Sequence, residues 1–327
     1  MASAQVRYEV VNLENYFGSI TSVRSVATGI NELGQVSGVY GPNDFGQNGF
    51  VYANGSIVDL GGGNATVFGI NNSGQVAGFN FSSAFRYTPG VGSVPLGNFG
   101  GTDSYAIGIN NHGQVAGSAE LPNGREHAFR YTDGVGLQDL GSLFGGSSQA
   151  WDVNDNGWVT GNSDGFNAFL YRDGEGMTYL GPGAGRAINS QGTVVGQGGG
   201  AFGGLATMYR DGNMIFLGDL GGNLGEARDI NSLDMVVGTS VNGDNRFRAF
   251  YWTEETGMLD LNDLIDPYGG WTLGQAFGIN DAGQIVGEGI FNGRQYAVLL
   301  NAVPEPSTWA LLLLGTGTLY FLRRRRA

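Results

Sequence analysis

A nine-residue pattern, Ile-Asn-x-x-Gly-x-Val-x-Gly, recurs seven times along the 327 residues, and any fold for this chain has to accommodate all seven copies. The Asn falls at Asn31, Asn71, Asn110, Asn154, Asn189, Asn231 and Asn280, at spacings of 35 to 49 residues. A β-branched residue precedes each one, at Ile30, Ile70, Ile109, Val153, Ile188, Ile230 and Ile279. A glycine stands seven residues after each, at Gly38, Gly78, Gly117, Gly161, Gly196, Gly238 and Gly287. Asn at the first position of a four-residue turn hydrogen-bonds the backbone ahead of it, and Gly at the fourth accepts a positive φ that other residues resist. Six copies have that turn Gly; the sixth has Asp234. With β-branched residues on both sides, each copy reads as a tight hairpin.

A second pair of strand-like segments follows each hairpin. In the third copy these are His127 to Thr132 and, after the turn Asp133-Gly134-Val135-Gly136, Leu137 to Gly141. Counterparts begin at Asn48, Ser83, Asn167 and Arg248. Roughly 40 residues and four strands per unit, repeated around an axis, are what a β-propeller requires. One compact core would be strained by a chain this long, and separate blades relieve that strain. The seventh unit runs out after Leu300 without a fourth strand, while Val6 to Leu13 precedes the first hairpin with nothing else to join. The sequence therefore predicts an all-β fold over residues 6–302: a seven-bladed β-propeller of four-stranded blades, closed by the N-terminal strand. An open all-β repeat array is the alternative.

The unit resembles the HAF repeat of bacterial extracellular proteins. His127-Ala128-Phe129 carries the namesake triplet, and Leu140 to Ala150 and Gly108 to Gly117 match the rest of the pattern. Other copies depart from it: Gly49 replaces the Ala in the first, and Thr207 replaces the aromatic in the fifth. The resemblance implies an extracellular protein and brings no assigned reaction.

The C-terminus has a different character. Val303-Pro304-Glu305-Pro306 leads into an apolar run, 309–322, and then Arg323, Arg324, Arg325 and Arg326. The prolines keep the approach extended, the run partitions into lipid, and the guanidinium groups stay in the cytoplasmic interface. As a helix the 14 residues of the run span about 21 Å, short against a hydrocarbon core of roughly 30 Å. Snorkelling arginines at one edge and Trp309 at the other close the gap. Residues 303–327 resemble the PEP-CTERM sorting tail of Gram-negative, exopolysaccharide-producing bacteria. That resemblance implies an inner-membrane intermediate with a short transmembrane helix, transient recognition by an exosortase, and release to the cell surface or matrix. A simple tail anchor is the alternative, and it exports the body as well. Residues 1–5, with Ala2-Ser3-Ala4, read either as the remnant of a signal-peptide cleavage region or as a chance small-residue start.

Composition excludes several chemistries. There is no cysteine, so neither a disulfide framework nor thiol chemistry is available. Without the four terminal arginines, 12 basic residues face 29 acidic ones, a balance that repels nucleic acid and attracts cations, calcium included. His112 and His127 form no catalytic or metal-binding pair by spacing. Asp152, Asn154 and Asn156 match the opening of an EF-hand loop, the one candidate metal site, but the twelfth position is Ser163 rather than Glu, and Asn154 is already a hairpin Asn. No cofactor is required by any motif.

One sector breaks the repeat. Most first strands carry small or apolar residues two and three positions before the Asn, whereas the fourth to sixth carry Trp151 and Asp152, Arg186, and Arg228 and Asp229. An aromatic face with guanidinium and carboxylate groups suits stacking on, and hydrogen bonding to, a sugar. An Asp–Arg network bridging three blades is the structural alternative. The sequence thus supports a non-enzymatic surface or matrix protein that binds exopolysaccharide or matrix proteins through the propeller faces. The competing class is a carbohydrate-active hydrolase or lyase, which needs paired carboxylates about 5 to 9.5 Å apart at one end of the axis.

Overall fold

The structure, a computed structural model, describes residues 6–18, 24–42, 48–61, 64–199 and 204–303. It is all-β, with only two 3-10 turns among the described residues, Leu13–Tyr16 and Leu261–Leu264. The strands form antiparallel sheets in the order of the repeats. Five sheets have four strands; the remaining one has seven, because the single strand Gly176–Ile188 closes the fourth repeat and opens the fifth. Dividing that strand gives seven four-stranded units: blade 1 (24–61), blade 2 (65–95), blade 3 (104–139), blade 4 (148–182), blade 5 (183–216), blade 6 (221–260) and blade 7 (271–303 with 7–12). The arrangement is propeller-like. The outer strand of blade 7 is the N-terminal segment Arg7–Asn12, which pairs antiparallel with Arg294–Val303.

The repeat pattern explains each blade. In blade 1 the Asn31 N–H donates to the Gln35 carbonyl at 3.0 Å and the Gly34 N–H donates to the Asn31 carbonyl at 3.0 Å, closing the hairpin. The turn residue takes a left-handed φ in every copy, from 71° at Gly34 to 89° at Gly192, and 57° at Asp234. The later Gly has another purpose. A Cβ on Gly117 would lie 1.9 Å from the Tyr105 carbonyl oxygen, and one on Gly161 1.9 Å from that of Gln149. The Phe of the third strand lies over this bare backbone, since Gly117 is paired with Phe129 and Gly161 with Phe169.

The Asn does more than make turns. Its Oδ1 accepts two amides of its own turn, at 3.0 and 2.9 Å from Leu33 and Gln35 in blade 1. Its Nδ2 donates to the backbone carbonyl of the corresponding Asn in the next blade. These bonds run Asn31 to Asn71 (2.8 Å), Asn71 to Asn110 (2.9 Å), Asn110 to Asn154 (2.9 Å), Asn154 to Asn189 (2.9 Å), Asn189 to Asn231 (3.4 Å) and Asn231 to Asn280 (3.0 Å). Asn280 donates back to Asn31 at 3.1 Å. A circle of buried side-chain amides therefore ties each blade to its neighbour.

Apolar packing follows the same circle. Seven clusters of buried residues occur among the described residues, and each draws on two neighbouring blades. One of them joins Leu13, Phe17, Ala27 and Phe50 to Val286 and Leu299, linking blade 1 to blade 7. Phe50, Phe129, Phe169 and Phe250 are fully buried in this way, each worth about 2 to 3 kcal/mol relative to exposure. No described helix is long and apolar enough to cross a membrane. The expected membrane segment 309–322 and residues 1–5 lie outside the described residues.

Candidate functional site

The inner strand of each blade carries an irregularity just before the Asn. Its register against the second strand shifts between Ala27 and Gly29, Ala106 and Gly108, Ala150 and Asp152, Gly185 and Ala187, Ala227 and Asp229, and Ala276 and Gly278; in blade 2 the shift spans Val67 to Ile70. A bulge releases the extra residue from the ladder and re-aims its side chain. The released residues from all seven inner strands, with the successors of all but Phe277, line one cavity of about 290 Å3 on the axis. Trp151, Asp152, Arg186, Arg228 and Asp229, which the sequence singles out, all line it.

The contacts differ from an Asp–Arg network. The Arg186 guanidinium lies over the Trp151 ring, 3.8 Å from its centroid, and the Trp151 Nε1 donates to Asn162 at 2.6 Å. Arg186 Nε and Arg228 both meet Glu226, the latter at 2.8 Å. Arg228 also lies over Phe277, 5.4 Å from the ring centroid. Glu226 is therefore the shared counter-ion, and sequence reasoning missed it because it stands five positions before Asn231, outside the two positions where the repeats visibly diverge. The only signal was a lone acid two residues before Arg228.

The two aspartates brace backbone instead. Asp152 accepts the amide of Val153 at 2.8 Å with Oδ1 and that of Ile188, in blade 5, at 3.0 Å with Oδ2. Asp229 accepts the amide of Ile230 at 2.8 Å and that of Ile279, in blade 7, at 2.8 Å. Val153, Ile188, Ile230 and Ile279 all stay in register with their second strands, and each carboxylate takes one amide from its own strand and one from the next blade. Both groups show some surface to the cavity, yet protein crowds them on every side. Burial pushes Asp152 up to about 6 against the pull of its two amides. Burial, with the nearby charge of Asp152, pushes Asp229 up to about 8. Burial also lowers Arg228, against the attraction of Glu226.

The EF-hand-like residues are occupied by the hairpin. Asn154 Oδ1 accepts the amides of Asn156 and Trp158, each at 3.0 Å, and Asn156 Nδ2 donates to the Ser190 carbonyl at 3.0 Å. Among the described residues no three Asp, Glu, His or Cys side chains converge as metal ligands do. Pro304, Glu305, Pro306 and Arg323 to Arg326 lie outside the described residues.

A family model described as the PEP-CTERM protein-sorting motif matches residues 302–326. That motif is the sorting signal of exosortase substrates, and with it the chain carries a signal for export towards the surface or exterior of a Gram-negative cell. No curated protein matches the chain. Among solved structures it is similar to an acylaminoacyl peptidase from Pyrococcus horikoshii, at 12% identity and a TM-score of 0.52, over 90% of this chain and 55% of the peptidase. It is also similar to TolB from Acinetobacter baumannii, at 12% identity and a TM-score of 0.45, over 65% of this chain and 62% of TolB. A gluconolactonase from Xanthomonas campestris matches at 10% identity and a TM-score of 0.43, over 92% of this chain and 96% of the lactonase. The chain thus spans less than two thirds of TolB and about half of the peptidase. The likeness is one of fold alone.

Proposed function

We propose that this chain is an exported surface or matrix protein of HAF-repeat type whose body, residues 6–302, acts as a closed seven-bladed propeller and binds exopolysaccharide in its axial cavity without chemical turnover. The observation that carries the reading is the wall made by Trp151, Arg186 and Arg228, with Glu226 as the counter-ion that both arginines share. Trp151, with Arg186 stacked on its ring, supplies an aromatic and guanidinium surface, and both guanidinium groups are held in fixed orientation by one shared carboxylate. Sugar rings present apolar C–H faces and dense hydroxyls, which match that combination. The tail at 303–327 serves as a removable address: an exosortase takes the chain from the inner membrane and discards the lipid-soluble segment.

A glycan array run together with a release assay on the host's own exopolysaccharide tests the binding. Trp151→Ala and Arg228→Ala should each reduce retention on the bound glycan about tenfold or more. Retention unchanged in both variants would refute the axial site. The release assay addresses the second reading, a hydrolase or lyase, which draws on Asp152 and Asp229 holding protons over different pH ranges. Against it, both oxygens of each carboxyl group already serve backbone amides. Reducing ends or unsaturated products that disappear in Asp229→Asn would make the protein an enzyme.

A further inference from the structure

The same inter-blade latch occurs twice in this molecule, and a third place is prepared for it but lacks the arginine. Between blades 2 and 3, Arg86 donates to the Gly113 carbonyl at 2.7 Å and to Asp133 at 3.0 and 3.1 Å, with its guanidinium 5.6 Å from the Tyr131 ring centroid. Between blades 3 and 4, Arg130 donates to the Gly157 carbonyl at 2.7 Å and to Asp173 at 2.8 and 3.0 Å, 5.9 Å from the Tyr171 ring centroid. Each arginine thus finds three receivers in the following blade: the carbonyl of the turn glycine, a carboxylate at the outer turn, and a tyrosine ring.

Blade 5 supplies the same three, at Gly192, Asp211 and Tyr209, but the residue of blade 4 in the arginine's place is Leu170. All four line a groove of about 370 Å3 between the two blades. Among the described residues no side chain donates to the Gly192 carbonyl or pairs with the Asp211 carboxylate. Asp211 sits in a tighter two-residue turn than Asp133 or Asp173, with a left-handed φ of 53°, and offers its carboxylate from the rim of the groove. Two other junctions are provided for differently. Between blades 5 and 6 Met208 holds the arginine's place, and Arg210, two residues on, reaches Asp234 and Glu254, both at 3.4 Å. Between blades 1 and 2 Val51 holds it, and Pro89 stands where the acid would be. Arg172, the counterpart of Arg210 in blade 4, lines the groove together with Arg210, but both guanidinium groups are engaged at its edges: Arg172 lies on the Trp158 ring at 4.4 Å, beside Gly192, and pairs with Glu175 at 3.4 Å, while Arg210 is held by Asp234 and Glu254.

We propose that the groove between blades 4 and 5 is a socket for an arginine side chain presented by a partner protein. A planar guanidinium reaches a carbonyl and a carboxylate at once while lying on a ring, which a point-like ammonium cannot do. The groove is larger than that group alone, and Leu170, Tyr179 and Leu180 give it an apolar wall for the methylene stem and a neighbouring residue. Arginines in aromatic pockets of this kind are common anchors of protein interfaces. The socket is separate from the axial cavity and does not depend on glycan binding.

The test is calorimetric titration of the full chain in mild detergent with the capped tripeptide Gly-Arg-Gly, its Gly-Lys-Gly counterpart, and agmatine. The arginyl tripeptide should bind saturably and about tenfold more tightly than the lysyl one. Asp211→Asn should weaken it about tenfold, and Leu170→Arg, which supplies the latch from within, should abolish it and raise Tm. Trp151→Ala, on the axis, should leave it unchanged, so loss of glycan binding and loss of this socket are read separately. Equal affinity for the two tripeptides, or binding indifferent to both Asp211→Asn and Leu170→Arg, overturns the socket. Agmatine binding as tightly as the tripeptide overturns the protein partner in favour of a free guanidinium compound.

Discussion

The two sides of the axial cavity are built on the same strand and bulge but carry different chemistry. In blades 7, 1, 2 and 3 the bulge residue and its successor are Phe277 and Gly278, Thr28 and Gly29, Phe68 and Gly69, and Ile107 and Gly108. Three of these glycines sit against the next blade: a Cβ on Gly29 would lie 2.6 Å from the Phe68 carbonyl oxygen, one on Gly69 2.9 Å from that of Ile107, and one on Gly108 2.6 Å from the Asp152 Cα. In blades 4 and 6 the same register holds Asp152 and Asp229, which turn onto the amides of the next blade. The comparison shows that the Asn circle and the second-strand glycines are common to both sides, so the bulge residue itself can vary, while its successor is Gly where the next blade's backbone stands against it. Chemistry then collects in one sector without altering the frame.

If the frame is common to both sides, damage to it should hurt them equally. Gly117→Val in blade 3 and Gly161→Val in blade 4 each drive a Cβ to 1.9 Å from a backbone carbonyl, with the Phe129 or Phe169 ring 2.8 Å away on the other side. Neither obstacle is the far end of a flexible side chain. We expect each substitution to cost about 3 kcal/mol or more, at or above the upper end of ordinary overpacking, in chemical denaturation. A large loss in one blade and none in the other would mean that the two sides do not share a frame.

The Asn circle should show a graded difference. Asn110 makes a 2.9 Å bond to the next blade and accepts two amides, at 3.1 and 2.9 Å. Asn189, in the charged sector, reaches Asn231 at only 3.4 Å and shares its Nδ2 with Asp234 at 2.8 Å. Asp234 is partly exposed and can turn to water. Asn110→Ala should therefore cost about 2 to 3 kcal/mol, and Asn189→Ala about 1 kcal/mol less, because fewer buried groups are left without a partner. Scanning calorimetry of the pair checks the order.

Much of this frame was legible because it is local. The hairpin turns, the turn glycines and the position of Asp234 follow from residues three apart, and the N-terminal strand was placed by the missing outer strand of the last repeat. The five axial residues stood out as departures from a repeat. What the sequence could not show are contacts between copies 35 to 49 residues apart. The second direction of each Asn amide, the reach of Asp152 to the Ile188 amide, and the choice of Glu226 by two arginines all depend on how neighbouring blades meet. Pairing Asp with Arg by charge was reasonable chemistry, but backbone amides lay closer.

The smallest predicted effect separates the two aspartates themselves. Both fold with values above the ordinary 3.9 of an unfolded Asp, at about 6 for Asp152 and about 8 for Asp229. A carboxyl whose folded value is raised binds its proton more tightly in the native state, so its contribution is complete below about pH 4 and is lost as pH rises to the folded value. For Asp152 that loss is finished near pH 6; for Asp229 it continues to about pH 8. Between pH 6 and 8, then, Asp229 alone of the two makes stability fall, by on the order of 1 kcal/mol. Tm followed from pH 5 to 9 should decline over that interval in the parent chain and in Asp152→Asn, and should lose most of the decline in Asp229→Asn. The apolar side offers no such group at this register, where the residues are Gly29, Gly69, Gly108 and Gly278. Parallel slopes in all three proteins would place the titrating carboxyl elsewhere and leave Asp229 as a brace that is ionised throughout.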